Sequence, residues 1–90
     1  MMPMKYAIEQ NKSDYFKSHD LGLVACLLSK GFDLEKLERS ESGRALFILK
    51  NSQELEVTVN QFWASSCHVD AHTYFRSLKR LKNQIYSVVK

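Results

Sequence analysis

Residues 20–31, DLGLVACLLSKG, constrain the fold more than any other stretch, because they carry a helical pattern with almost no polar face. On a 3.6-residue wheel Leu21, Val24, Ala25 and Leu28 share one side, and Leu23 and Leu27 widen it beyond what a single packing surface needs. A helix of this kind belongs at the centre of a domain. Its remaining side carries Gly22, Cys26 and Ser29, small residues at helical spacing that admit a close neighbour, either a strand or a second copy of the chain. Both ends are encoded. Ser18 or Asp20 can accept from the first free amides, Lys30 sits near the last carbonyls, and Gly31 supplies a left-handed stop.

The flanking segments supply the layers around this helix. Lys5 to Glu9 alternates as an edge strand would, or frays as coil, so residues 1–14 read as a flexible or edge-strand segment ahead of a single α+β domain at 15–90. Tyr15 and Phe16 stand just before the Ser18 cap, where they read as core anchors in the manner of a hydrophobic staple. Phe32 to Arg39 alternates imperfectly: Leu34 and Leu37 are three apart, which predicts a bulge or an irregular start. Ser40–Gly43 supplies a turn, and Arg44 to Lys50 follows as a strand that is apolar from Ala45 through Leu49. This pair predicts an antiparallel hairpin whose second strand is covered on both faces.

Two further helices are expected. Leu55, Val57 and Val59 alternate, but Leu55, Val59, Phe62 and Trp63 repeat helically, and Asn51 with Glu54, or Ser52 alone, provides a start. Phe62 and Trp63 are expected in the core, packed on the last helix through Tyr74, Phe75 and Leu78. Asp70 caps that last helix, which runs to about Val88, with Ala71, Tyr74, Phe75, Leu78, Leu81, Ile85, Val88 and Val89 in one apolar arc. Opposite lie His72, Arg76, Lys79, Arg80, Asn83, Ser87 and Lys90, with Lys82 at the margin. The fold class is therefore α+β: an antiparallel β-hairpin, with room for a third edge strand, packed by three helices in the order (β)-α-β-β-α-α.

YFKSHDLGLVACLLSKGFDL, the GRALFIL strand, the NQFW stretch and the VDAHTYFRSLKRLKNQIY helix together resemble a family of short bacterial and phage proteins catalogued as a domain of unknown function. The resemblance spans Tyr15 to Tyr86. It rests mostly on apolar and capping residues, so it implies the fold and a prokaryotic or phage setting but no activity.

Composition narrows the functional classes. Ninety residues with 44% hydrophobic and 26% charged side chains make one ordinary globular domain. The longest apolar runs, Leu23 to Leu28 and Ala45 to Leu49, fall well short of the roughly 20 residues that span a bilayer, so no membrane partner is expected. The opening MMPMKYAIEQ has no apolar signal region, which makes the cytoplasm the expected compartment, and Cys26 and Cys67 read as two thiols. The net charge is +3, but Asp70 to Lys90 holds five bases against one acid, while the rest holds eight against nine. The basic excess thus lives in the last helix.

No catalytic residue, metal or cofactor is assigned. Cys67, His68, Asp70 and His72 crowd together, yet structural zinc needs ligand pairs from separate segments, and Asp70 is better placed as a cap. Cys67 beside His68 lacks an oxyanion site, the three glycines stand apart rather than forming a phosphate loop, and Glu35 and Glu38 sit beside Lys36 and Arg39 as solvated charges. The anion or nucleic-acid candidates are Arg76, Lys79, Arg80 and Lys90. Their plainer roles are to complement the helix dipole or to face the acidic hairpin at Glu35, Glu38 and Glu41, and the wheel shows no exposed aromatic between them for base stacking. The expected function is a small non-enzymatic binding module, a homodimer acting by protein contact as adaptor or inhibitor, with Gly22, Cys26, Ser29 and Phe47 as candidate oligomer-interface residues. The alternative is a nucleic-acid-binding accessory protein that uses the basic face of the last helix.

Overall fold

The computed structural model describes residues 14–89, with side chains through residue 87. Strand β1 (Tyr15–Ser18), helix α1 (Leu21–Ser29), strands β2 (Leu34–Arg39) and β3 (Ala45–Lys50), and helices α2 (Gln53–Trp63) and α3 (Ala71–Val89) follow in that order. The sheet runs β1-β3-β2, antiparallel at both junctions, and three helices pack it. The edge strand suggested for Lys5 to Glu9 and the side chains of Val88, Val89 and Lys90 lie outside the described residues. The third strand of the described sheet comes instead from Tyr15–Ser18, which the sequence reads as a staple.

Helix α1 is central for the reason its sequence gives. Leu23 through Leu27 are all buried, and they share a core with Phe47, Leu49, Leu55 and Leu81. Asp20 Oδ1 accepts the Leu23 amide at 3.1 Å, and Ser18 Oγ accepts the Asp20 amide at 3.0 Å, so both candidate caps are used in series. At the other end the Phe32 amide reaches the Leu27 carbonyl (3.1 Å) and the Gly31 amide the Leu28 carbonyl (3.0 Å). That is a Schellman closure, and it needs the left-handed φ of 103° that Gly31 adopts without steric cost.

The hairpin carries the expected irregularity. Leu34 pairs with Leu49 and Lys36 with Ile48, leaving Glu35 as the extra residue; this shift turns both Leu34 and Leu37 onto the core side. The turn closes with the Gly43 amide on the Ser40 carbonyl (2.9 Å) and the Ser40 amide on the Arg44 carbonyl (2.8 Å). Strand β3 is covered differently on its two faces. Phe47 and Leu49 enter the core, whereas Ile48 lies on the other side, where Tyr15, Lys17, Lys36 and Glu38 surround it. Among the described residues no further helix or strand lies over this face. Ile48 is nonetheless only 6% exposed, so both faces of β3 are covered as its apolar run predicts; the neighbouring lysine stems and tyrosine ring add apolar surface there while their polar ends reach water. Lys36 and Glu38 also pair there at 3.0 Å.

Helix α2 starts on Ser52, whose Oγ accepts the Leu55 amide at 3.0 Å, and reaches the core through Leu55, Val59 and Phe62. Its buried Thr58 hydroxyl is satisfied by the Glu54 carbonyl at 3.0 Å. The helix stops by the same closure as α1: the Ser66 amide bonds the Gln61 carbonyl (2.8 Å) and the Ser65 amide the Phe62 carbonyl (3.1 Å). Here the left-handed residue is Ser65, at φ 60°. Trp63 is 61% exposed, which corrects its expected place in the core. Leu55, Val59 and Phe62 define the buried stripe, and Trp63 turns out of it, keeping an edge-to-face contact with Phe62 at 5.0 Å.

Candidate macromolecular interface

Helix α3 is fixed from its first turn. Asp70 Oδ2 accepts both the Thr73 amide (2.9 Å) and the Thr73 hydroxyl (3.0 Å). Those two bonds hold the Asp70 carboxyl below the usual carboxylate range, with the Arg76 charge adding to the effect. One face of the helix then lies along α1. Tyr74 Oη donates to the Gly22 carbonyl at 3.3 Å, and a Cβ built at Gly22 would stand 3.3 Å from that hydroxyl. Burial raises the Tyr74 phenol, with Cys26 and Asp20 contributing. Ser29 Oγ donates to the Ala25 carbonyl at 2.8 Å and lies 3.3 Å from Ser77 Oγ. Leu81 is wholly buried, with Leu78 and Ile85 packed beside it.

The four residues expected at an interface between copies are thereby taken up inside the chain. Gly22 and Ser29 meet α3, Cys26 is buried with Cys67 of the α2–α3 connection beside it, and Phe47 is in the core. Both cysteines are free thiols. Burial, with the Cys67 contact adding to it, pushes the Cys26 thiol up to about 12. Helical spacing foretells a close neighbour at Gly22, Cys26 and Ser29, and that neighbour is the last helix of the same chain.

The outer face of α3 is where the basic residues stand. Arg76, Lys79, Arg80 and Lys82 are exposed, and none forms an ion pair with a described acid. The acidic hairpin does not answer them: Glu38 is paired with Lys36 on the far side of the sheet. Arg76 Nη2 lies 3.4 Å from His72 Nδ1, and Arg80 borders a hollow lined by Leu28, Gly31, Phe32, Asp33 and Gln84. Lys90 lies outside the described residues.

Two aromatic rings share this face. Phe75 is 61% and Tyr86 68% exposed, and the Lys79 ammonium lies 5.9 Å from the Phe75 ring centroid. At 100° per residue Phe75, Lys79, Lys82 and Tyr86 fall in one stripe, about 100–160° from Leu81. This overturns two expectations: Phe75 does not belong to the buried arc, and aromatics do interleave the bases. The signal was present in the spacing. A wheel that keeps only Leu81 and the residues within about 60° of it, Tyr74, Ile85 and Leu78, puts both rings beyond a core-facing stripe, but with the arc drawn broadly to include every apolar residue Phe75 falls inside it.

Among the described residues no group of three or more His, Cys, Asp and Glu side chains is arranged to hold a metal ion, and no helix is long and apolar enough to cross a membrane. The family model described as Domain of unknown function (DUF5659) matches residues 13–87, which is nearly all of the described fold. The chain belongs to DUF5659. Comparison with curated proteins and with solved structures found no match. What characterises this DUF5659 member is thus its own surface: an acid-free helix face carrying four cations and two exposed rings.

Proposed function

We propose that this DUF5659 domain is a small binding module that works by macromolecular contact, and that the outer face of α3 meets a nucleic acid. The observation that carries the reading is the combination of Phe75 and Tyr86, both exposed, with Arg76, Lys79, Arg80 and Lys82, all unpaired by any described acid. A cationic surface whose charges are not held in ion pairs attracts polyanions and releases their condensed ions on contact. Rings between the cations add an attraction that a purely electrostatic surface lacks.

The test is binding to oligonucleotides as salt is varied. Four phosphate contacts should give a log–log slope of roughly −3 to −4, and the triple variant Arg76→Gln, Lys79→Gln, Arg80→Gln should flatten it by about 2 to 3. The variant should stay folded, losing less than about 1 kcal/mol, because exposed charges contribute little to stability. A parent protein that binds neither duplex nor single strand at low salt removes this reading.

A second reading, contact with a protein partner as adaptor or inhibitor, is favoured by the exposed Trp63 and Val57 on α2, since exposed tryptophan is enriched where proteins bind one another. Substituting Trp63 would weaken such a complex and leave oligonucleotide binding unchanged.

A further inference from the structure

Phe75 and Tyr86 are eleven residues apart, close to three helical turns, so they project from the same stripe of α3 about 16 Å apart along its axis, with Lys79 and Lys82 between them. Each ring keeps most of its surface in water. Resting on the nucleic-acid reading above, we propose that the ligand of this stripe is single-stranded nucleic acid, its bases stacking on Phe75 and Tyr86 while Lys79 and Lys82 meet the phosphates between. A duplex keeps its base faces inside the stack, and a ring that enters must unstack a step at a cost of a few kcal/mol. A single strand presents those faces freely, and stacking on an aromatic side chain tolerates any sequence because every base has a π-face. Charge complementarity selects the polyanion, and the rings select the unpaired form.

The Lys79 ammonium lies over one face of the Phe75 ring at 5.9 Å from its centroid, so a stacking base takes the other face or displaces the lysine, which then turns to a phosphate. The other flank of the outer face, with Arg76 and Arg80, carries no ring, so it adds charge without adding a platform.

The experiment compares an oligothymidylate single strand with a duplex of equal length, using the whole chain, the double variant Phe75→Ala, Tyr86→Ala and the triple glutamine variant. Because both rings are exposed, the alanine pair should melt close to the parent, and circular dichroism verifies that it does. The expected result is preference for the single strand, lost at least tenfold in the alanine pair with an unchanged salt slope, since every cation remains. A third variant, Phe75→Trp in a Trp63→Phe background, should be quenched on binding as bases stack on the new indole. Duplex preference, or an alanine pair that binds the single strand as the parent does, overturns the single-strand inference and leaves the nucleic-acid reading standing. Failure of both ligands to bind overturns both.

Discussion

Exposure separates side chains that hold this fold from those that use it. Leu81 is wholly buried between α1 and the sheet, so Leu81→Ala should cost about 2–5 kcal/mol, a large share of the roughly 5–15 kcal/mol that keeps a domain folded. Trp63→Ala should cost only about 1–2 kcal/mol, the worth of its edge contact with Phe62 and its partial burial. Urea unfolding followed by circular dichroism compares the two; equal losses would place Trp63 in the core after all. Cys26 makes a pH prediction. Its folded value of about 12 exceeds the ordinary 9.0, so below about pH 9 both folded and unfolded chains hold the proton. As pH rises from 9 toward 12 the unfolded chain ionises first, and stability falls across that window. The parent should therefore lose stability more steeply than Cys26→Ala between pH 8 and roughly 10.5, and parallel curves would refute the buried-thiol account.

Helices α1 and α2 end in the same hydrogen-bond pattern with different residues at the left-handed position. Gly31 makes the first stop legible, because glycine after an apolar run is the residue that φ demands. Ser65 makes the second illegible, since serine there carries a Cβ that opposes φ 60°. Ser65→Gly should accordingly stabilise the protein by about 0.5–1 kcal/mol, measured as a raised urea midpoint at unchanged slope. An unchanged or lower midpoint would mean that Ser65 gains as much from its surroundings as it loses in backbone strain. The strands show the same division. The bulge at Glu35 follows from the spacing of Leu34 and Leu37, whereas β1 has no comparable mark: Tyr15 and Lys17 face outward, Phe16 and Ser18 inward, over only four residues.

For the whole molecule, the apolar excess that argues for self-association is absorbed within one chain. Helix α1 is flanked by α2, α3 and the sheet, and the small residues at Gly22 and Ser29 receive Tyr74 and Ser77. Light scattering at tens of micromolar is therefore expected to return the mass of a single chain, 10.5 kDa. A dimer mass would contradict this and move the interface to the outer sheet face around Ile48, where only side chains of the sheet itself, such as Tyr15, Lys17, Lys36 and Glu38, surround it among the described residues.

Read alone, the sequence determines the element order, the Asp70 cap, the cap candidates Ser18 or Asp20 and Asn51 or Ser52, the Gly31 stop, the bulge and the central place of α1. All of these depend on residues a few positions apart, where helix and strand periods act. Tertiary structure decides what depends on distant partners: that Tyr15–Ser18 pairs with β3, that the Gly22, Cys26 and Ser29 stripe is filled by α3, and that Phe75 and Trp63 face water. The reason is geometric. Periodicity gives the width of an apolar arc, but its centre is set by whichever surfaces press against the helix. On α3 those surfaces centre the buried face on Leu81, and so leave Phe75 and Tyr86 among the lysines.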